Sequence, residues 1–408
     1  MRHEGSPSGA GYRPVMTERR VSLLGALFVV VGPVSMALYT PAMTEIVQAF
    51  GTTESAVKMT LALYFAGFAF AQLVGGPLSD AMGRRPVMMI FMGIYVAASL
   101  LALSAPGIEV LLAARFLQGI GASAGVAVAR AMVRDLFDHE QSSRIMNLIG
   151  IMLALGPAIA PTIGGFTMQA AGWHAIFLLM AGLGVIVFCA AVFAMHETVV
   201  PDMSRLRPAA LASAYLHLVG NAHFMTTALV LAFTTGALYA QATFLPFILM
   251  ERVGLTPAQF GLSMVLQSGA FFVGALVVRA LLARVTAERL VIPGLVMVGL
   301  GGLGQLAMHV VEPGLWQVMA PVSLYAIGIA FVMPAVTTIC LHPFRHMAGA
   351  ASAMMGFLQM GMGLAMGSLG ALMGDPVFAM ATLIPFMGLS ACVLFAVYKL
   401  RVAIGAEM

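Results

Sequence analysis

Charge is scarce in this chain, so the few residues able to do chemistry stand out. Of 408 residues, 9% are charged and 61% apolar, whereas soluble domains carry about 25% charged residues. Arg115 and Arg130 fall inside one long apolar run. An ionised group at membrane depth costs about 2.5–3.5 kcal/mol on insertion scales and usually lines a cavity. On a single helix the two arginines stand roughly 22 Å apart. Arg130 lies near enough to the end of its run to snorkel to the surface, and Arg115 does not. Tyr39, Gln118, Tyr239, Gln241 and Gln359 are polar side chains that could join them along a cavity, with Tyr64, Gln72, Asn147, Gln267 and Tyr325 as further candidates. Pro246 would bend the run that carries Tyr239 and Gln241. Every Asp and Glu falls at or beyond the end of an apolar run.

Several chemistries lack their residues. No His-Glu-x-x-His run, metal-spaced His/Asp set or nucleophile motif is present, so a membrane-embedded enzyme has no support. The Gly-x-x-x-x-Gly-Lys-Ser/Thr loop of an ATP-driven pump is also missing. Cys189, Cys340 and Cys392 lie within or at the ends of apolar runs, at no metal-ligand spacing, and read as packing residues.

The elements that must position these residues follow from the bilayer. Mean hydropathy is +0.99, and a bilayer core needs roughly 20 apolar residues per helix. The runs predict spans at 21–43, 58–79, 86–105, 109–133, 143–168 and 175–195, then at 222–249, 258–282, 288–309, 315–337, 348–373 and 377–399. They are too long and unalternating for a β-barrel. The fold expected is therefore all-α: twelve transmembrane helices in two six-helix bundles with pseudo-two-fold symmetry. The bundles are 21–195 and 222–399, joined by a linker at 196–221, with tails at 1–20 and 400–408. All but four of the 20 Lys and Arg residues fall on one side of these spans. The positive-inside rule makes that side cytoplasmic, with both termini, the linker and the tails on it. Basic residues here orient the chain, and nucleic-acid binding is unsupported. The first run is long enough to span and is read as a helix rather than a signal peptide.

Two stretches look mechanical. In Gly75-Gly76-Pro77-Leu78-Ser79-Asp80-Ala81-Met82-Gly83-Arg84-Arg85, an apolar run ends, Gly83 turns the chain and two arginines open the next run. Asp80 is an acceptor beside Arg84 and Arg85 and could cap a helix amino terminus in the other bundle. Arg134 is a further candidate ion partner. In the fifth span, Gly156, Pro157, Pro161, Gly164 and Gly165 combine bends with close approach, as a hinge or a closure surface would require. Methionines are concentrated on or beside the eleventh span, including Met347, Met354, Met355, Met360, Met362 and Met366, and thioethers suit adaptable surfaces.

These motifs resemble the major facilitator superfamily. The 71–86 stretch is similar to its loop signature between helices two and three, and Arg115-Phe116-Leu117-Gln118-Gly119 to the helix-four signature of its drug/proton antiporters. Tyr39-Thr40-Pro41, Val128-Ala129-Arg130-Ala131 and Gly172-Trp173-His174 look like the Bcr/CflA branch, the bicyclomycin and chloramphenicol exporters. So does His346-Met347-Ala348-Gly349. The resemblance implies a multi-pass bacterial inner-membrane transporter that exports a small organic molecule by alternating access, as a proton antiporter. It implies no cofactor beyond the proton gradient, the bilayer and a small molecule as partners, and a monomer. It also implies that Asp80 latches the inner side against the start of the eleventh span, at His346.

One position departs from the family. Where an Asp usually precedes the Tyr-x-Pro of the first span, this chain has Ala37. With no buried carboxylate, an arginine-lined cavity favours an anionic or carbonyl-rich substrate. Export of an endogenous metabolite or siderophore, and proton-independent facilitation, stay open at this point. A receptor or scaffold is the reading from another class.

Overall fold

The computed structural model describes residues 15–137 and 139–407; of the side chains in that range, those of 139, 140, 143, 147, 150, 151, 153–155, 157, 205, 345, 346 and 402–407 lie outside the described set. The first bundle contains α1 (Glu18–Tyr39), the short α2 (Met43–Ala49), α3 (Glu54–Met82), α4 (Arg84–Leu103), α5 (Ile108–Leu136) and α6 (His139–Cys189). After α7 (Pro208–Gly220) come α8 (Ala222–Pro246), α9 (Pro257–Leu281), α10 (Ala287–Gln305), α11 (Leu315–Leu341), α12 (Ala348–Leu372) and α13 (Pro376–Glu407). Among the described residues, eleven helical segments are long and apolar enough to cross a membrane. One of them, Ala158–Ala194, runs through Gly172, whose φ of 73° breaks the helix. The fifth and sixth spans are therefore the two arms of α6.

Helix starts carry their own signals. Thr17, Thr53 and Asn221 accept backbone N–H bonds at the starts of α1, α3 and α8, and Thr256 with Gln259 forms a capping box on α9. Gly83 sits at φ 102° between α3 and α4, a conformation that side chains other than glycine rarely adopt.

Packing shows the pseudo-two-fold relation. In the first bundle α3 packs on α5 and α4 on α5; in the second α9 packs on α11 and α10 on α11. The bundles meet along two seams, α3 against α12 and α6 against α9, which the pseudo-symmetry exchanges. Buried Phe28, Tyr64, Tyr95 and Phe177 belong to the core of the first bundle, and Phe244, Tyr325 and Ile384 to that of the second.

Two segments outside the predicted spans are helical. The linker contains a helix, α7, because Pro208 opens a run rich in the good helix formers Ala and Leu. Leu218 enters the second bundle's core, the Tyr215 hydroxyl donates to the Leu73 carbonyl of α3 at 2.5 Å, and Leu216 is 71% exposed. A short helix with one exposed apolar flank suits the membrane interface. Residues 400–407, expected as a tail, continue α13.

Candidate functional site

Below, the linker face is the end of the molecule carrying residues 195–207, and the far face is the other. Arg115 lies seven residues inside α5 and is 0% exposed. Its guanidinium is sandwiched between the rings of Tyr39 and Tyr64, 4.3 and 4.5 Å from their centroids. Cation–π contacts of this kind compensate part of the desolvation of a buried cation. Arg115 Nη1 donates to Gln118 Oε1 at 2.7 Å, and Gln118 Nε2 donates to Ser99 Oγ at 2.8 Å. Tyr39 and Thr60 share a hydroxyl bond of 2.6 Å, Tyr64 donates to the Gly32 carbonyl at 2.8 Å, and Tyr95 meets Ser35. Arg115 Nε and Nη2 have no partner. Leaving two nitrogens of a buried cation without a hydrogen bond costs about 1–3 kcal/mol each, so the position is held against a real penalty.

Arg115, Tyr39 and Gln118 thus come together inside the first bundle, packed among its helices. The rotation of α5 turns this face toward α1, α3 and α4. Tyr64, Tyr95, Ser35 and Ser99 complete the cluster; polar residues at helical spacing in neighbouring spans were the available signal.

The other cavity candidates sit elsewhere. Arg130 is solvent-accessible yet surrounded by protein on most sides, as a residue lining a cleft would be. Its Nη1 donates to Ser352 Oγ of α12 at 3.3 Å, across the seam. Tyr239 packs on Phe65 of α3, with ring centroids 5.4 Å apart. Gln72 crowds Gly356 of α12, where a Cβ would meet its amide nitrogen at 2.4 Å. Gln241 accepts from Gln267 Nε2 at 3.0 Å within the second bundle. Gln72 Oε1 and Gln241 Nε2 are buried without partners. The Gln359 backbone carbonyl lies on the packing surface of α12 against Gly236 of α8.

The expected latch residues gather at the linker face. Arg84 donates from Nε to Asp135 Oδ2 at 3.1 Å and from Nη1 to Ser79 Oγ at 2.7 Å, and it also pairs with Asp80. Arg85 donates to the Val192 carbonyl at 2.7 Å. Glu197 caps α4, accepting from Arg84 N at 2.9 Å and Arg85 N at 3.1 Å. Among the described residues, Asp80 bonds Arg84 in its own bundle, the acceptor role its place beside Arg84 suggested, and caps no helix of the other bundle. The short Asp80–Arg84 separation in sequence favours the local pair. His346 lies outside the described side chains. Arg134 does not pair with Asp80 among the described residues; both line a cavity of about 520 Å³, together with Arg207. Glu197 and Asp135 were not singled out in the sequence as partners of Arg84 and Arg85, because neither carboxylate's own neighbourhood reveals a partner so far away along the chain.

The fifth-span motif brings α6 against two other helices. Through residues 156–165 the backbone stays helical, and the break falls at Gly172. An added Cβ at Gly156 would meet Val30 and Val34, and one at Gly164 the Leu38 carbonyl at 2.5 Å, all on α1. At Gly165 it would meet the Pro257 carbonyl of α9 at 2.2 Å, and at Gly261 of α9 the Pro161 carbonyl at 2.5 Å. Thr162 Oγ1 donates to the Gly261 carbonyl at 3.0 Å. The two backbones touch here with no side chain between them. Pro157 lies outside the described side chains. Across the other seam, Ser55 Oγ donates to the Ala371 carbonyl at 2.6 Å and Lys58 Nζ to the Gly374 carbonyl at 2.9 Å. Both contacts tie the bundles at the far face.

Residues 25–368 match the Major Facilitator Superfamily. The chain belongs to that family. Multidrug resistance protein D of Escherichia coli (strain K12) is 30% identical over 356 residues, covering 84% of this chain and 86% of that protein. The uncharacterized MFS-type transporter YdgK of Bacillus subtilis (strain 168) is 27% identical over 363 residues, covering 86% and 89%. The fold is also that of a bacterial homologue of the human lysosomal transporter Spinster, solved inward-facing and unoccupied. That match has a TM-score of 0.71 at 14% identity and covers 94% of this chain and 96% of that one. This major facilitator protein is therefore a multi-pass membrane transporter of small molecules and not an enzyme.

Proposed function

We infer that the protein exports a small organic molecule across a bacterial inner membrane by alternating access, driven by proton antiport, with the linker face and both termini in the cytoplasm. The reading places it in the Bcr/CflA branch and takes the monomer as the working unit. It draws on the motifs of the first bundle and on the similarity to a multidrug resistance protein. The observation that carries the substrate class is the charge of the interior. Among the described residues, the charged side chains farthest inside the spanning segments are Arg115 and Arg130, and no carboxylate accompanies them there. Arg130 faces the cleft between the bundles, with the neutral amide of Gln72 and the ring of Tyr239 along the same seam. An accessible cation among neutral hydrogen-bonding groups attracts anionic or carbonyl-rich compounds and repels cations.

The test is substrate-induced proton movement in reconstituted vesicles, comparing organic anions, neutral amphenicols and lipophilic cations at two pH values. Proton flux with an anionic or neutral compound, weakened in Arg130→Met, is the expected result. A preference for lipophilic cations would refute the substrate class, and substrate movement without proton flux would refute antiport.

A further inference from the structure

The arginines of the linker face fall into two sets. Arg20 Nε donates to the Ala194 carbonyl at 2.6 Å, Arg85 Nη2 to the Val192 carbonyl at 2.7 Å, and Arg84 holds Asp80 and Asp135. Arg134, in the last turn of α5, and Arg207, just before α7, are exposed and pair with no carboxylate among the described residues. The Arg207 guanidinium reaches only the Ser204 carbonyl, three residues back, at 3.2 Å. Both arginines line the cavity of about 520 Å³ that lies between α7 and the ends of α3, α4 and α5. Asp80 is the one carboxylate on its wall, and Arg84 already occupies it.

Apolar surface leads away from this cavity on two helices. On α3, Phe70 and Val74 are 56% and 48% exposed within the spanning segment. They share a helix face with Pro77, which lines the cavity. On α7, Ala210, Leu211 and Ala214 line the cavity, while Leu216 and Val219 farther along are exposed. Two guanidinium groups without acid partners thus sit where membrane-facing surface meets the linker. A phospholipid with a net negative headgroup has the matching chemistry. The planar guanidinium fork fits phosphate oxygens, and basic pockets at the ends of spanning helices bind anionic headgroups. A choline headgroup carries its own cation, which these arginines repel.

We propose that this cavity binds an anionic phospholipid, with the headgroup phosphate held between Arg134 and Arg207 and the acyl chains lying along α3 and α7. Arg134 belongs to the first bundle and Arg207 to the linker. The linker helix α7 packs on α8 and α12 of the second bundle, and its Leu218 is in that bundle's core. The bound lipid therefore joins the first bundle to a linker that is fixed to the second. The site depends on the placement of α7 and on the two arginines, not on substrate charge or proton coupling, so it stands or falls separately from the proposed function.

The test is native mass spectrometry of the full chain in detergent, titrated with phosphatidylglycerol or with phosphatidylcholine of the same acyl chains. The parent should retain a first phosphatidylglycerol in preference to phosphatidylcholine. Arg134→Gln and Arg207→Gln should each weaken that retention by about fivefold, and the double variant by about 25-fold. Replacing both with lysine, which keeps the charge, should recover most of it. Arg284→Gln with Arg289→Gln removes the same charge from the turn between α9 and α10, the pseudo-symmetric counterpart of the Gly83 turn, and should bind as the parent does. Equal retention of the two lipids, a double glutamine variant that binds like the parent, no recovery in the lysine pair, or the same loss in the Arg284/Arg289 control would overturn the proposal. Displacement of the lipid from the parent by inorganic phosphate would assign the cavity to a free anion and would also overturn it.

Discussion

Gly164 and Gly165 are neighbours on α6, yet a methyl group added at each strikes a different bundle. At Gly165 it would sit 2.2 Å from the Pro257 carbonyl oxygen, where ordinary C···O contact is about 3.3–3.6 Å. The α6–α9 seam must therefore open by about 1 Å in Gly165→Ala. Overpacking of this kind costs about 1–3 kcal/mol, and here the cost falls on the state with the far face closed. The closed-to-open ratio should drop by about 5–150-fold, read by electron–electron double resonance between spin labels at Ser104→Cys and Val310→Cys, on far-face turns of opposite bundles, as growth of the long-distance population. In Gly164→Ala the added methyl meets Leu38 of the same bundle at 2.5 Å, so thermal stability should fall with no change in the distance distribution. Gly182, farther along α6, has nothing within 4 Å of an added Cβ, and its alanine variant should match the parent in both. If Gly165→Ala left the distances unchanged, or if Gly164→Ala shifted them equally, the assignment of α6 as the closure surface would be wrong.

Three further outcomes follow from single residues. Arg115→Met should melt no lower than the parent, because replacing a buried, partly unsatisfied cation with an apolar side chain is often neutral or stabilising. It should still lose transport in vesicles, and Arg115→Lys should not restore it, because an ammonium lacks the planar fork; a fully active Arg115→Met would make the cluster purely structural. Glu197→Ala removes the cap of α4 and should cost about 0.5–2 kcal/mol of stability, read as a lower melting temperature in detergent. Tyr215→Phe loses the bond to the Leu73 carbonyl and should cost about 0.5–1.5 kcal/mol. Burial pushes the Tyr215 hydroxyl up to about 12, so this bond should persist below pH 10 and weaken only as pH rises from there toward 12.

Some features of this protein were legible in its sequence because they are imposed locally. The bilayer sets the length of every apolar run, so the all-helical class and nearly every span could be read from composition and run length alone. Gly83 and the Asp80–Arg84 pair lie within a few residues of one another, and a turn with an i,i+4 ion pair needs no distant partner. Long-range partners were not legible. Glu197 caps a helix that begins more than a hundred residues earlier, and nothing in its own neighbourhood marks it for that role. Successive residues on a helix are turned by about 100°, so whether Arg115 faces its own bundle or the cleft depends on how α5 is rotated in the assembled bundle. The same rotation sends Gly164 to α1 and Gly165 to α9. Sequence determined that an arginine and a row of glycines would lie in the membrane. Only the packing of helix against helix decided which surface each one meets, because that rotation is set by the fit of all the neighbouring side chains together.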